Sequence, residues 1–191
     1  MLVHFTEMAK LPMILTYARM FVAPVIMWTL MINGRYMGWI AAILFVLGSL
    51  TDWFDGYFAR LWGSESNMGK FMDPIADKIL VLGSILILLT MGRVDPFMVF
   101  LLVGRDIFIG GIRAVAAANQ IIIAAKPFGK WKTATQMLAI PCLMIYEPLW
   151  GLPLPDVGYF LLWFSVVLSL ISGVEYTYGY FSKVKTDSIQ N

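Results

Sequence analysis

Long apolar runs alternate with short polar segments along the whole chain. Several of these runs are long enough for an α-helix to cross a bilayer, which needs about 20 apolar residues. The pattern predicts six transmembrane helices, at residues 12–32, 37–60, 73–91, 96–118, 132–145 and 157–181. We expect an all-α, polytopic membrane protein with a single domain over residues 1–191, in which residues 1–10 form an interfacial segment and residues 182–191 a polar tail.

Glycine, proline and polar residues mark the boundaries between the predicted helices. A polar loop is expected at residues 63–69, and a second one at residues 126–130. Gly92 is expected to end the third helix. Asp73 precedes Pro74, and this pair is typical of an N-cap followed by the first helical residue.

The composition agrees with a membrane protein and excludes several functions. Of the 191 residues, 60% are hydrophobic and 14% are charged, whereas a soluble domain has about 25% charged residues. The net charge of +2 is too small to suggest nucleic-acid binding. Because Cys142 is the only cysteine, neither a disulfide within the chain nor a thiolate metal site is expected.

The distribution of lysine and arginine predicts the orientation, since cytoplasmic loops carry an excess of these residues. With both termini in the cytoplasm, most basic residues fall in or beside inner segments: Lys10, Arg60, Lys70, Lys126, Lys130, Lys132, Lys183 and Lys185. Only Arg35 and Arg93 fall in the outer turns. The protein is therefore predicted to be a multi-pass protein of the inner (cytoplasmic) membrane, with a site that faces the cytoplasm.

Four aspartates, Asp52, Asp55, Asp73 and Asp77, lie at the junction of the second and third predicted helices. A bare carboxylate at the centre of a transmembrane helix costs about 2.5–3.5 kcal/mol. The two residues of each pair share one helical face, because they are three or four positions apart. Clustered carboxylates favour Mg²⁺, Mn²⁺ or Ca²⁺, and Mg²⁺ in particular points to a phosphoryl substrate.

Small residues accompany the first aspartate pair. Gly56 and Ala59 share its face and leave the helix backbone open to a bulky ligand. Arg60 follows at the end of the segment, and Gly69 lies between the two aspartate pairs.

Together these eight residues form the pattern D-x₂-D-G-x₂-A-R-x₈-G-x₃-D-x₃-D. The pattern and the six predicted helices resemble the CDP-alcohol phosphotransferases, membrane enzymes of phospholipid synthesis. The resemblance implies that Asp52, Asp55, Asp73 and Asp77 bind two divalent cations, Mg²⁺ or Mn²⁺, and that Asp77 is also the general base. It implies that the nucleotide of CDP-diacylglycerol is bound by Gly56, Ala59, Arg60 and Gly69. It also implies a homodimer.

The segments 51–56, 71–78 and 129–137 are similar to those of family members that join CDP-diacylglycerol to sn-glycerol 3-phosphate and release CMP. Pro12, Thr16 and Arg19 also fit that resemblance. There are two departures: Met13, where a polar residue is usual, and Asp106, where glutamate is frequent.

A phosphorylated acceptor requires cations of its own. Arg105 and Arg113 are eight residues apart and share a helical face. With Lys130 and Lys132 they are predicted to bind the acceptor phosphate at the cytoplasmic side. We call these four residues the cation cluster.

The sequence leaves other functions open. The same chemistry with a different acceptor, namely phosphatidylglycerol, inositol phosphate or serine, would use the same aspartates. A divalent-cation transporter is a remote alternative, because intramembrane carboxylates also mark ion pathways. Against a transporter, the aspartates lie at one end of their helices, and no matching polar residues continue to the other side.

Overall fold

The computed structural model describes residues 11–32, 34, 36–62, 67–119, 127–145 and 151–190; for 11–15, 52–62, 67–71, 73–74 and 185–190 it describes the backbone alone. The described backbone forms six α-helices and contains no strand. The helices are α1 Leu11–Met31, α2 Met37–Trp62, α3 Asn67–Thr90, α4 Pro96–Ala118, α5 Pro127–Met144 and α6 Leu154–Gln190. The predicted all-helical class is therefore confirmed for the described residues.

Three helices are longer than their apolar runs predict. The prediction that α3 begins at Asp73 is wrong, because it begins at Asn67 and includes Gly69, so Asp73 is not its N-cap. Helix α5 begins at Pro127, within the predicted loop. Helix α6 continues to Gln190, through most of the predicted polar tail. Polar residues extend these helices because each helix satisfies its own backbone hydrogen bonds whether or not its side chains are apolar.

Helix α4 begins and ends where the sequence predicts. Its N-cap is Asp95, whose carboxylate Oδ1 accepts hydrogen bonds from the backbone N–H groups of Phe97 at 2.7 Å and Met98 at 3.4 Å. Pro96 occupies the first helical position, where the missing N–H would have had no partner in the helix. This start fixes the register of the residues of α4 that reach the site.

The core lies between the helices, where apolar side chains are buried; examples are Ile26, Phe45, Leu80, Leu88, Leu102, Ile140 and Leu162. Helix α6 packs closely against α5. At this crossing Gly158 is required, since an added Cβ would lie 2.9 Å from both the Ala139 carbonyl oxygen and the Leu143 backbone nitrogen. The close contact holds α5, which carries part of the cation cluster, against α6.

Arginines at both ends of the bundle bind backbone carbonyl groups. Arg93 Nη1 donates to the carbonyl oxygens of Leu143 at 2.6 Å and Met144 at 3.2 Å, which lie in the last turn of α5 and have no partner within the helix. Arg19 is 1% exposed and donates from Nε to the Gly48 carbonyl oxygen at 3.1 Å. These contacts connect the turn between α3 and α4 to the end of α5, and α1 to α2.

Within the described part of the chain, one helix is long and apolar enough to cross a membrane by length and composition. It covers Leu154–Val184 of α6, 31 residues with a mean hydropathy of 2.0. A shorter apolar stretch covers Met37–Thr51 in α2.

Candidate functional site

The helices α2 and α3 carry the four aspartates and contact each other. Asp52 and Asp55 lie in the C-terminal part of α2, and Asp73 and Asp77 lie in the first half of α3. The backbone therefore places both pairs beside the connection between two neighbouring helices, as predicted. Of these residues and the predicted nucleotide-binding residues, seven have side chains outside the described part: Asp52, Asp55, Gly56, Ala59, Arg60, Gly69 and Asp73.

Asp77 is the aspartate whose side chain is described. Its neighbours Ala76 and Leu80 are fully buried, so this turn of α3 is held in the core while Asp77 remains partly exposed. The Asp77 carboxylate interacts favourably with the Lys132 ammonium of α5. One member of the cation cluster is thus within electrostatic range of the last aspartate of the motif.

Lys132 is held by Asp106 of α4. The Lys132 ammonium donates to both Asp106 carboxylate oxygens, at 2.7 and 2.8 Å. The Lys132 side chain is 8% exposed and that of Asp106 is 31% exposed. A buried ammonium needs such a partner, because removing its counterion would leave a charge without solvent. The predicted phosphate ligand Lys132 is thus already paired with a carboxylate.

Arg105 is also held by protein groups. Its Nη1 donates to Asp106 Oδ1 at 3.0 Å, its Nε to the Ser169 carbonyl oxygen at 2.9 Å, and its Nη2 to Ser172 Oγ at 2.8 Å. Gly173 leaves space for this side chain, since an added Cβ would lie 3.4 Å from Arg105 Cγ and Nε. The guanidinium plane is therefore fixed between α4 and α6.

Arg113 and Lys130 are the exposed members of the cation cluster. The Arg113 guanidinium carbon lies 5.2 Å from the centre of the Tyr176 ring, a cation–π contact. Tyr176 lies one helical turn after Ser172, which binds Arg105. Arg105 and Arg113 therefore lie against the same stretch of α6.

Lys78 reaches α4 as well. An added Cβ at Gly110 would lie 3.8 Å from Lys78 Nζ, so the ammonium of Lys78 lies beside the turn of α4 between Asp106 and Arg113. Lys78 directly follows Asp77 on α3. The aspartate helix thus brings a further positive charge toward the cation cluster.

Sequence reasoning assigned no role to three residues that the structure places around the cation cluster: Asp106, Ser172 and Tyr176. One signal was available for Asp106, because seven residues, or two helical turns, separate it from Arg113 and put both on one face of α4. No comparable signal was available for the pairing of Asp106 with Lys132, since 26 residues and a loop separate them.

The sequence profile of the CDP-alcohol phosphatidyltransferase family matches residues 9–171, which include every residue of the candidate site described above except Ser172, Gly173 and Tyr176. The chain belongs to this family. The match covers the aspartate pattern and the whole cation cluster, so both predicted halves of the site lie within the family domain.

Relatives in this family are similar to the chain over most of its length. A CDP-diacylglycerol–glycerol-3-phosphate 3-phosphatidyltransferase of Rickettsia typhi is 37% identical over 180 residues, which cover 94% of this chain and 99% of the relative. A protein of the same name from Bacillus subtilis is 36% identical, with 77% of this chain and 76% of the relative covered. A relative from Arabidopsis thaliana with that name and the suffix 2 is 31% identical, with 90% and 79% covered.

Proposed function

We propose that this protein transfers the phosphatidyl group of CDP-diacylglycerol to a hydroxyl of sn-glycerol 3-phosphate, giving phosphatidylglycerol phosphate and CMP. The observation that carries the proposal is the full-length similarity to family members named for this reaction, which includes the cation cluster. The cation cluster supports it, because a phosphorylated acceptor needs positive charges close to the base that activates its hydroxyl, and the Lys132 ammonium of this cluster attracts the Asp77 carboxylate.

In this proposal Asp77 takes the proton of the acceptor hydroxyl as the new phosphoester bond forms. The partial exposure of Asp77 leaves it accessible to a substrate that enters from the side of the cation cluster.

The aspartates fit a pair of hard divalent cations, Mg²⁺ or Mn²⁺. Their donors are carboxylate oxygens alone, and the described backbone places them on the neighbouring helices α2 and α3. Asp52, Asp55, Asp73 and Asp77 would hold the cations, which when bound supply positive charge to the pyrophosphate of the donor lipid. Gly56, Ala59, Arg60 and Gly69 would bind its CDP group.

The cation cluster divides into two parts with different roles. Arg113 and Lys130 are exposed and would bind the acceptor phosphate directly. Arg105 and Lys132 are held by Asp106 and α6, so they present fixed positive charges to the pocket. A pocket with fixed charges favours an acceptor with a phosphate over an uncharged alcohol.

The decisive experiment measures CMP release from CDP-diacylglycerol by the purified protein, with and without Mg²⁺ or Mn²⁺, for a series of acceptors. Glycerol 3-phosphate is expected to be the best acceptor. Phosphatidylglycerol, inositol phosphate and serine serve as the alternatives. Equal rates with an acceptor that lacks the phosphate would contradict the acceptor assignment and leave the transfer chemistry intact.

For the membrane arrangement we propose that all six helices cross the inner membrane, with both termini and the site on the cytoplasmic side. Large apolar side chains exposed on several helices support contact with lipid; they include Phe21, Trp28, Phe100, Ile107 and Phe160. In a Cys142→Ser background, a membrane-impermeant maleimide should label Leu152→Cys from outside intact cells and should not label Lys183→Cys. The reverse labelling would overturn the orientation.

A further inference from the structure

Asp106 is the centre of a charged network that joins three helices. Its Oδ1 accepts from both Lys132 Nζ of α5 and Arg105 Nη1 of α4, and its Oδ2 accepts from Lys132 Nζ alone. Arg105 in turn binds Ser169 and Ser172 of α6. The Asp106 carboxylate thus binds two members of the cation cluster, Arg105 and Lys132.

The two cations depend on Asp106 to different degrees. Arg105 has two further hydrogen bonds to α6, so its position does not rest on Asp106 alone. Both side-chain hydrogen bonds of Lys132 among the described residues go to Asp106. The position of the Lys132 ammonium is therefore set by this single carboxylate.

Two carboxylates attract the Lys132 ammonium. Asp106 binds it directly, and Asp77 attracts it electrostatically from α3. In the proposed function Asp77 must remain available for the divalent cations and the acceptor hydroxyl. Without Asp106, the buried ammonium would be drawn toward Asp77, because a charge removed from water requires a partner.

We propose that Asp106 is a positioning residue of the acceptor site, which holds Lys132 at the acceptor phosphate and keeps it from pairing with Asp77. The proposal rests on the proposed function, and it adds that the metal site and the acceptor site are coupled through Lys132. A carboxylate close to an anion-binding site would by itself weaken phosphate binding, because like charges repel each other. The network explains why Asp106 lies there, since it holds Lys132 and Arg105.

The test compares Asp106→Asn, which removes the charge and keeps the size, with the parent enzyme. The apparent KM for glycerol 3-phosphate should rise about 10-fold, the effect of one weakened charged hydrogen bond, while the apparent KM for CDP-diacylglycerol should stay within about two-fold of the parent value. Mn²⁺ binding in the absence of substrates should also weaken. It is measured from the electron paramagnetic resonance signal of free Mn²⁺. Asp106→Glu keeps the carboxylate and should restore both properties.

A second pair of variants shows whether Asp106 acts through Lys132. In a Lys132→Met background, Asp106→Asn should change neither the KM for glycerol 3-phosphate nor Mn²⁺ binding any further. The double variant removes both charges together, so it remains informative if Asp106→Asn alone does not fold. The proposal is overturned if Asp106→Asn lowers only kcat or thermal stability, or if its effects are the same with and without Lys132. A parent enzyme that releases no CMP with glycerol 3-phosphate, yet binds Mn²⁺, would instead contradict the proposed function.

Discussion

Residues of the same charge have different surroundings in this site, and the surroundings decide their roles. Lys132 is buried and bound by a carboxylate, so it contributes a fixed charge. Arg113 is exposed, and its guanidinium lies over the Tyr176 ring. Arg113 is therefore the residue we expect to form the most direct contact with an acceptor phosphate.

The clearest residue-scale prediction concerns Asp77. Asp77→Asn keeps the size of the side chain but removes its ability to accept a proton, so turnover should fall by about 10² to 10⁴-fold. CDP-diacylglycerol should still bind, which equilibrium binding of the lipid to the purified variant can check. Activity within a factor of about two of the parent enzyme would contradict the assignment of Asp77 as the base.

Arg113→Ala should raise the apparent KM for glycerol 3-phosphate about 10 to 100-fold, since a charged hydrogen bond contributes about 1.5–3 kcal/mol. Steady-state kinetics with each substrate varied in turn would show this, and the apparent KM for CDP-diacylglycerol should change little. Tyr176→Phe is the matched control, because it keeps the ring face under Arg113. If Arg113→Ala raises the apparent KM equally for both substrates, or for neither, the positive charges are better explained as determinants of membrane orientation.

The residues of the aspartate pattern could be identified from the sequence because their spacing is local. Asp52 and Asp55, like Asp73 and Asp77, lie within one turn of a single helix, so helical geometry alone relates them. The pairing of Asp106 with Lys132 could not be predicted in this way, because it depends on how α4 packs against α5. In the sequence, Asp106 was distinguished only as an aspartate at a position where glutamate is frequent in the family that the chain resembles.

At the scale of elements, the apolar pattern predicted where six helices lie and was less accurate about where they end. The apolar pattern shows which segments are removed from water, whereas a helix ends where its backbone hydrogen bonding changes. Helix α4 was predicted correctly because Asp95 and Pro96 mark its start chemically. Pro127 gives a similar signal for α5, as a first helical residue, and could have corrected that boundary.

The contact between α5 and α6 provides an element-scale prediction. In Gly158→Ala the new Cβ would lie 2.9 Å from backbone atoms of α5, which cannot move aside as a flexible side chain could. We expect destabilisation of about 1–3 kcal/mol, measured as thermal unfolding in detergent. Gly179→Ala in the same helix is the matched control, because nothing lies within 4 Å of its added Cβ.

The control should be neutral or stabilising by up to about 1 kcal/mol, since alanine favours a helix more than glycine does. Equal unfolding temperatures for the two variants would show that α5 and α6 do not approach as closely as the structure indicates. Because α5 carries Lys132 and α6 binds Arg105, Gly158→Ala should also lower activity with glycerol 3-phosphate.

At the scale of the whole molecule, the outer surface of α4 differs from its inner surface. Gly110 faces Lys78, whereas an added Cβ at Gly104 or Gly111 would meet nothing within 4 Å. The large side chains Ile107 and Phe108 between them are exposed. Two open glycines seven residues apart leave a shallow face on which another helix can approach closely.

A homodimer, implied by the family resemblance, would place this face of α4 against the second copy. Mass measurement in mild detergent or nanodiscs should then find a dimer for the parent protein and a monomer for the variant Gly104→Leu/Gly111→Leu, because two bulky side chains prevent the close approach. Gly179→Leu is the matched control, since its added side chain also points into open space but lies on α6. A parent protein found only as a monomer would contradict the dimer itself, whereas a dimer that survives in the α4 variant would place the interface on another helix. In both cases the network of Asp106, Arg105 and Lys132 is formed by residues of a single chain.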